Sequence, residues 1–99
     1  MLNINKEQNG GLLTVALEGR LDTVTAPELE SELTASLDGA EELVLDMKDL
    51  EYISSAGLRV LLSAQKNMSS KGSMKLINVN ETVMEILEVT GFTDILTVG

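Results

Sequence analysis

Ninety-nine residues, 43% of them apolar, suit one globular domain that buries about two-thirds of its unfolded surface without covalent staples. The chain has no cysteine and no histidine, which excludes disulfides, zinc-thiolate sites, thiol catalysis and a Ser-His-Asp triad. A formal charge of −9, from 16 acidic and 7 basic side chains, repels phosphate backbones and anionic lipid and favours a basic protein surface.

In chain order, Leu2 to Gln8 alternates weakly, with Leu2 and Ile4 on one side. Asn9-Gly10-Gly11 is a hairpin turn, because these residues accept positive φ. Leu12 to Glu18 places Leu13, Val15 and Leu17 on one face, so the chain opens with an antiparallel pair. Gly19 to Val24 reads as a loop. Thr25 with Glu28 has capping-box spacing, Pro27 fits a first helical turn, and Ala26, Leu29, Leu33 and Leu37 make one apolar stripe. Asp38-Gly39 stops that helix.

Leu43-Val44-Leu45 then starts a strand buried on both faces. A polar turn closing on Ser54 and Ser55 follows, and after it Leu58, Leu61, Leu62 and Met68 recur at helical spacing. Ser54 and Ser55 therefore stand at a helix N-terminus, where unpaired N–H groups suit a serine cap and equally suit a phosphate. A plain cap and a regulated phosphate acceptor both fit this local chemistry. Ser69 to Gly72 ends the helix, and Met74 to Val79 returns as a strand. Asn80 caps a third helix striped by Val83, Ile86 and Leu87, with Gly91 as its stop. Asp94 to Val98 is expected as a last short strand. The order is β-β-α-β-α-β-α-β, an α/β domain with a mixed sheet of about five strands packed with helices.

No apolar run reaches the length of a membrane span or a signal-peptide core, so a cytoplasmic protein is expected. Met1 and Gly99 are expected to be the ends of a small complete protein, with an excised domain as the alternative. With two aromatic residues there is no stacking platform for nucleic-acid bases.

The run Leu45-Asp46-Met47-Lys48-Asp49-Leu50-Glu51-Tyr52-Ile53-Ser54-Ser55-Ala56-Gly57-Leu58 resembles the signature of the bacterial STAS-domain anti-sigma factor antagonists. In that family a strand ending in Asp-Leu-Ser leads to Phe-Met-Asp-Ser-Ser-Gly-Leu and a helix. Gly19-Arg20-Leu21-Asp22-Thr23-Val24-Thr25-Ala26 resembles the family's Gly-Glu-Leu-Asp-x-x-Thr-Ala loop. Two separated loops, the element order and the length agree, so the resemblance spans nearly the whole chain, residues 1–99 as one STAS domain.

The resemblance implies a phosphorylation-switched interaction module, and no enzyme. It places the phosphorylated serine at Ser55, with Ser54 standing where the family has Asp and so a rival acceptor. It implies a partner surface of Asp22, Thr23, Ser54, Ser55, Ala56, Gly57, Leu58 and Arg59. The partner would be an anti-sigma factor serine kinase that brings its own ATP and magnesium, with a phosphatase as a further partner. Unphosphorylated, the module would hold that kinase and free a sigma factor. No cofactor, metal, nucleic acid or membrane is implied.

Other functions compete. The same fold serves as a subunit of lipid or anion transport systems. A small phosphotransfer or hydrolytic enzyme with a serine nucleophile is disfavoured by the absence of histidine, cysteine and a phosphate-cradling glycine loop. A receiver domain needs an acidic cluster that Asp46 and Asp49 alone do not supply, and a longer chain.

Overall fold

A computed structural model describes residues 2–98. Four strands form one sheet in the order β1-β2-β3-β4: β1 (Leu2–Asn9), β2 (Leu12–Leu21), β3 (Glu42–Ile53) and β4 (Ser73–Ile77). The hairpin pairs β1 with β2 antiparallel, and β2/β3 and β3/β4 are parallel. Parallel neighbours need crossovers, supplied by α1 (Ala26–Ser36) and α2 (Ser55–Ser69), and α3 (Glu81–Val89) follows β4. Leu13, Val15 and Leu17 of β2 join Leu43, Leu45 and Met47 of β3 in the core, with Leu29 and Leu33 of α1, Leu61 and Met68 of α2, and Leu87 of α3. Gly10, at φ 59°, makes the hairpin turn expected of it.

The mixed α/β sheet and three helices are as the sequence implies, with one strand fewer. Instead of a strand over 94–98, the chain makes a 3-10 turn at Phe92–Asp94. The Leu96 amide donates to the Phe92 carbonyl at 2.8 Å, and Leu96 is buried by that turn. The segment touches the sheet through a single parallel bridge, Leu76 to Val98, with the Leu76 amide donating to the Thr97 carbonyl at 2.9 Å.

Two stretches read as loops are strand. β2 continues through Gly19-Arg20-Leu21, and β3 runs to Ile53, leaving only Ser54 before the helix. The reason lies in the register. Ala16 faces Asp46 and Glu18 faces Asp49, then Gly19 faces Leu50 and Arg20 faces Tyr52, so β3 holds an extra residue at each shift. Core positions that alternate at Leu43, Leu45 and Met47 therefore move to Leu50 and Ile53, a spacing of three that imitates a turn.

The capping box at Thr25 does not form. Thr25 has helical dihedrals (φ −91°, ψ −19°), which aim its hydroxyl away from the first amides of α1. That hydroxyl donates to the Arg20 carbonyl at 2.8 Å and accepts the Asp22 amide at 2.8 Å. In α2, Leu62 is half-buried, and Val60 and Ala64 join Leu58, Leu61 and Met68 inside.

Candidate functional site

The site sits where β2 and β3 end together. Leu21 pairs with Ile53, and the Ser54 amide donates to the Leu21 carbonyl at 2.8 Å. That hydrogen bond sets the turn after β2 beside the start of α2, at the carboxyl edge of two parallel strands. Open α/β sheets bind their ligands at such edges.

Ser54 and Ser55 have different surroundings. Ser54 is the N-cap of α2: its backbone is extended (φ −96°, ψ 175°) and its Oγ accepts the Gly57 amide at 3.3 Å. Ser55 is the first helical residue, and its side chain is exposed. No side-chain hydrogen bond among the described residues involves it. The helix end gives it a positive local field, and Arg59, exposed and one turn further on, lies on the same helix face. A dianion on Ser55 would be favoured by both.

Of the other residues singled out from the sequence, Ala56 is half-buried and Gly57 and Leu58 are buried. Gly57 has a packing reason for its identity. A Cβ there would lie 2.6 Å from Leu21 Cγ and 3.0 Å from Ile53 Cγ1, so the two strand ends close onto bare backbone.

Asp22 organises its own turn. Its Oδ1 accepts the Val24 and Thr25 amides, each at 3.0 Å, and the Thr25 hydroxyl lies at 3.2 Å. The Ala26 amide donates to its carbonyl at 2.8 Å. It thus caps the turn that feeds α1, the work the sequence suggested for Thr25. The Thr25 amide, aided by the Thr25 hydroxyl and the Val24 amide, holds the carboxyl below its ordinary value, outweighing desolvation. Arg20, opposite Tyr52 in the register, places its guanidinium 4.6 Å from that ring's centroid and its Nε 4.0 Å from Asp22 Oδ2.

Asp22 held in this way projects its neighbours outward. Thr23 is exposed, and Val24 is 81% exposed. The sequence reading left Val24 among the loop residues without a role. The signal that could have found it is an apolar residue in a turn with no periodic stripe to bury it. Among the described residues no cluster of His, Cys, Asp and Glu is arranged for a metal ion, and no helix is long and apolar enough to cross a membrane. What the edge offers is a surface: an exposed hydroxyl, a helix terminus, a guanidinium and an exposed valine.

The STAS domain family matches residues 3–99. A Bordetella bronchiseptica protein, BtrV, which carries the name of an anti-sigma factor antagonist, is 36% identical over 99% of this chain and 86% of its own. The anti-sigma-B factor antagonist of Bacillus subtilis is 30% identical over 99% of this chain and 91% of its own. In fold, the chain is similar to the Bacillus anti-sigma factor antagonist SpoIIAA, solved both unphosphorylated and phosphorylated. The unphosphorylated form superposes with a TM-score of 0.85 at 15% identity, covering 98% of this chain and 88% of that one. The phosphorylated form gives 0.76 at 14% identity, with coverage of 98% and 91%. The chain belongs to the STAS-domain family of anti-sigma factor antagonists.

Proposed function

We propose that this protein is a cytoplasmic phosphorylation switch, binding an anti-sigma factor kinase through the edge formed by the Asp22 turn and the start of α2. Bound, it would occupy the kinase and release a sigma factor. Phosphorylated on Ser55, it would let the kinase go. The kinase supplies ATP, magnesium and the catalytic base, and a phosphatase resets the switch. This chain acts as substrate and regulator.

The observation that carries the reading is the division of labour between the two serines. Ser54 has its oxygen engaged in capping, whereas Ser55 presents a free, exposed hydroxyl to an incoming active site. Phosphorylation adds about −1.5 to −2 charges and three acceptor oxygens at the centre of the proposed interface. The relatives' names support an anti-sigma factor as partner, and SpoIIAA, of the same fold, exists in a phosphorylated form.

The test incubates the wild type, Ser54→Ala and Ser55→Ala with the cognate kinase and ATP, reading intact mass. Phosphate should add to the first two and not to Ser55→Ala. Modification that persists in Ser55→Ala and vanishes in Ser54→Ala would move the acceptor to Ser54.

A further inference from the structure

Away from the Ser55 edge, the molecule has a second surface that the proposed switch does not use. Three large apolar side chains stand exposed among the described residues: Val24 in the Asp22 turn, Val89 at 81% and Ile95 at 49%. Val89 is the last residue of α3, and Ile95 follows the 3-10 turn after it. Thr82, Glu85, Ile86, Val89 and Thr90 line a shallow, mostly apolar depression of about 270 Å³ along α3. A helix that is amphipathic and packed on one side has no packing reason to place valine outward.

Along its own sequence this segment carries charge of one sign, although Lys48 of β3 shares a depression with Glu81 and Thr82 at the start of α3. From residue 76 to the end, the chain carries Glu81, Glu85, Glu88 and Asp94 and no lysine or arginine. Two copies of this segment face to face would set eight carboxylates, four from each, against one another with no cation of the segment's own to offset them. Anionic lipid and nucleic acid meet the same repulsion. The complementary occupant is cationic and apolar together. The patch is also set apart from the switch. Asn80, the N-cap of α3, donates through Nδ2 to the Leu50 carbonyl of β3 at 2.6 Å, and Val89 lies a helix length of about 13 Å beyond that anchor.

We propose that the outer face of α3 and the turn after it form a second docking surface, occupied by a basic amphipathic helical segment of a protein partner. Its apolar side chains cover Ile86, Val89 and Ile95, and its lysines or arginines meet Glu85, Glu88 and Asp94. Because no residue of this surface belongs to the Ser55 edge, its occupancy is independent of phosphorylation, and it stands whether or not Ser55 is the acceptor.

The test titrates isotopically labelled protein with a synthetic amphipathic helical peptide of leucine and lysine, and with its leucine–glutamate counterpart, following backbone amide shifts. With the lysine peptide, saturable shifts should gather on residues 82–96, and the glutamate peptide should give none. Val89→Lys should weaken binding roughly tenfold, as loss of an apolar anchor does, while Val24→Lys and Ser55→Ala leave it unchanged. Val89 is exposed, so this variant should keep the wild-type thermal midpoint; Ile95→Lys repeats the test from the neighbouring turn. Shifts spread over Glu28, Glu30 and Glu32 of α1, or indifferent to Val89→Lys, would mean unspecific charge attraction and overturn the proposal. Self-association that Val89→Lys abolishes would assign the patch to a second copy. Valine-dependent binding to zwitterionic vesicles would assign it to lipid. Either result overturns a protein partner.

Discussion

At the scale of single residues, Ser54 and Ser55 should separate stability from modification. Ser54→Ala removes the cap of α2 and should lower stability by about 1 kcal/mol, and Ser54→Asp, which can still accept the Gly57 amide, should restore most of it. Ser55→Ala should leave the thermal midpoint within a degree or two of wild type, since an exposed hydroxyl with no partner supports nothing in the fold. Gly57→Ala should cost about 1–3 kcal/mol, because Leu21 and Ile53 must move to admit one methyl group. Thermal or urea unfolding reads all four. A neutral Gly57→Ala would show that the strand ends yield easily.

Asp22 gives a pH signature. Its folded carboxyl titrates below its ordinary value, so its contribution is complete above that value, near pH 4. The contribution is lost as the pH falls further, through the folded value. Comparing wild type with Asp22→Asn from pH 7 down to pH 2 should therefore show curves that run parallel above about pH 5 and converge below pH 4. A constant offset across the range would place the unfolded and folded values together.

At the scale of elements, legibility followed periodicity. Both members of the hairpin, the stripes of α1 and α2 and the Asn80 cap of α3 could be read, because each repeats a simple spacing or carries a capping residue in place. The end of β3 could not, since its two register shifts break the alternation that marks a strand. Phe92–Asp94 failed for the opposite reason. Ile95, Leu96 and Val98 look like strand residues, while a local turn and one bridge satisfy them. Within the site, the motif around Ser55 was visible in the residues, but the capping role of Asp22, in place of Thr25, was not. It depends on whether Thr25 is extended or helical, and spacing alone does not distinguish the two. One junction offers a sharp test at this scale. A Cβ on Gly72 would run into the Glu41 carbonyl oxygen, so Gly72→Ala must push the turn between α2 and β4 away from the start of β3. It should destabilise by about 3 kcal/mol, more than Gly57→Ala, since backbone gives way less readily than side chains.

For the molecule as a whole, phosphorylation at Ser55 should weaken the partner without unfolding the domain. The new charge sits at a helix N-terminus, which favours it by about 0.3–1 kcal/mol. In the complex, the same dianion must be desolvated against a complementary surface, at a cost of several kcal/mol if left unpaired. Phosphorylated protein should thus keep its thermal midpoint and lose partner affinity, with Ser55→Glu a partial imitation because it carries less charge. Equal affinities would remove the switch, and a collapsed midpoint would make unfolding its mechanism. The net charge of −9 predicts in addition that association with a basic partner slows as salt rises, measurable by stopped flow.

The single residue between β3 and α2 has a consequence in time. The Ser54 amide proton points at the Leu21 carbonyl, inside the seam where two parallel strands end. It can exchange with solvent only when that seam parts, and Gly57 leaves no slack there for a small local opening. Ser54 should therefore be among the slowest-exchanging amides in the protein although it neighbours an exposed side chain. Protection of that one proton, followed in heavy water before and after modification of Ser55, reports whether the docking edge stays shut while its charge changes. Unchanged protection would make the switch a change of surface on a still body.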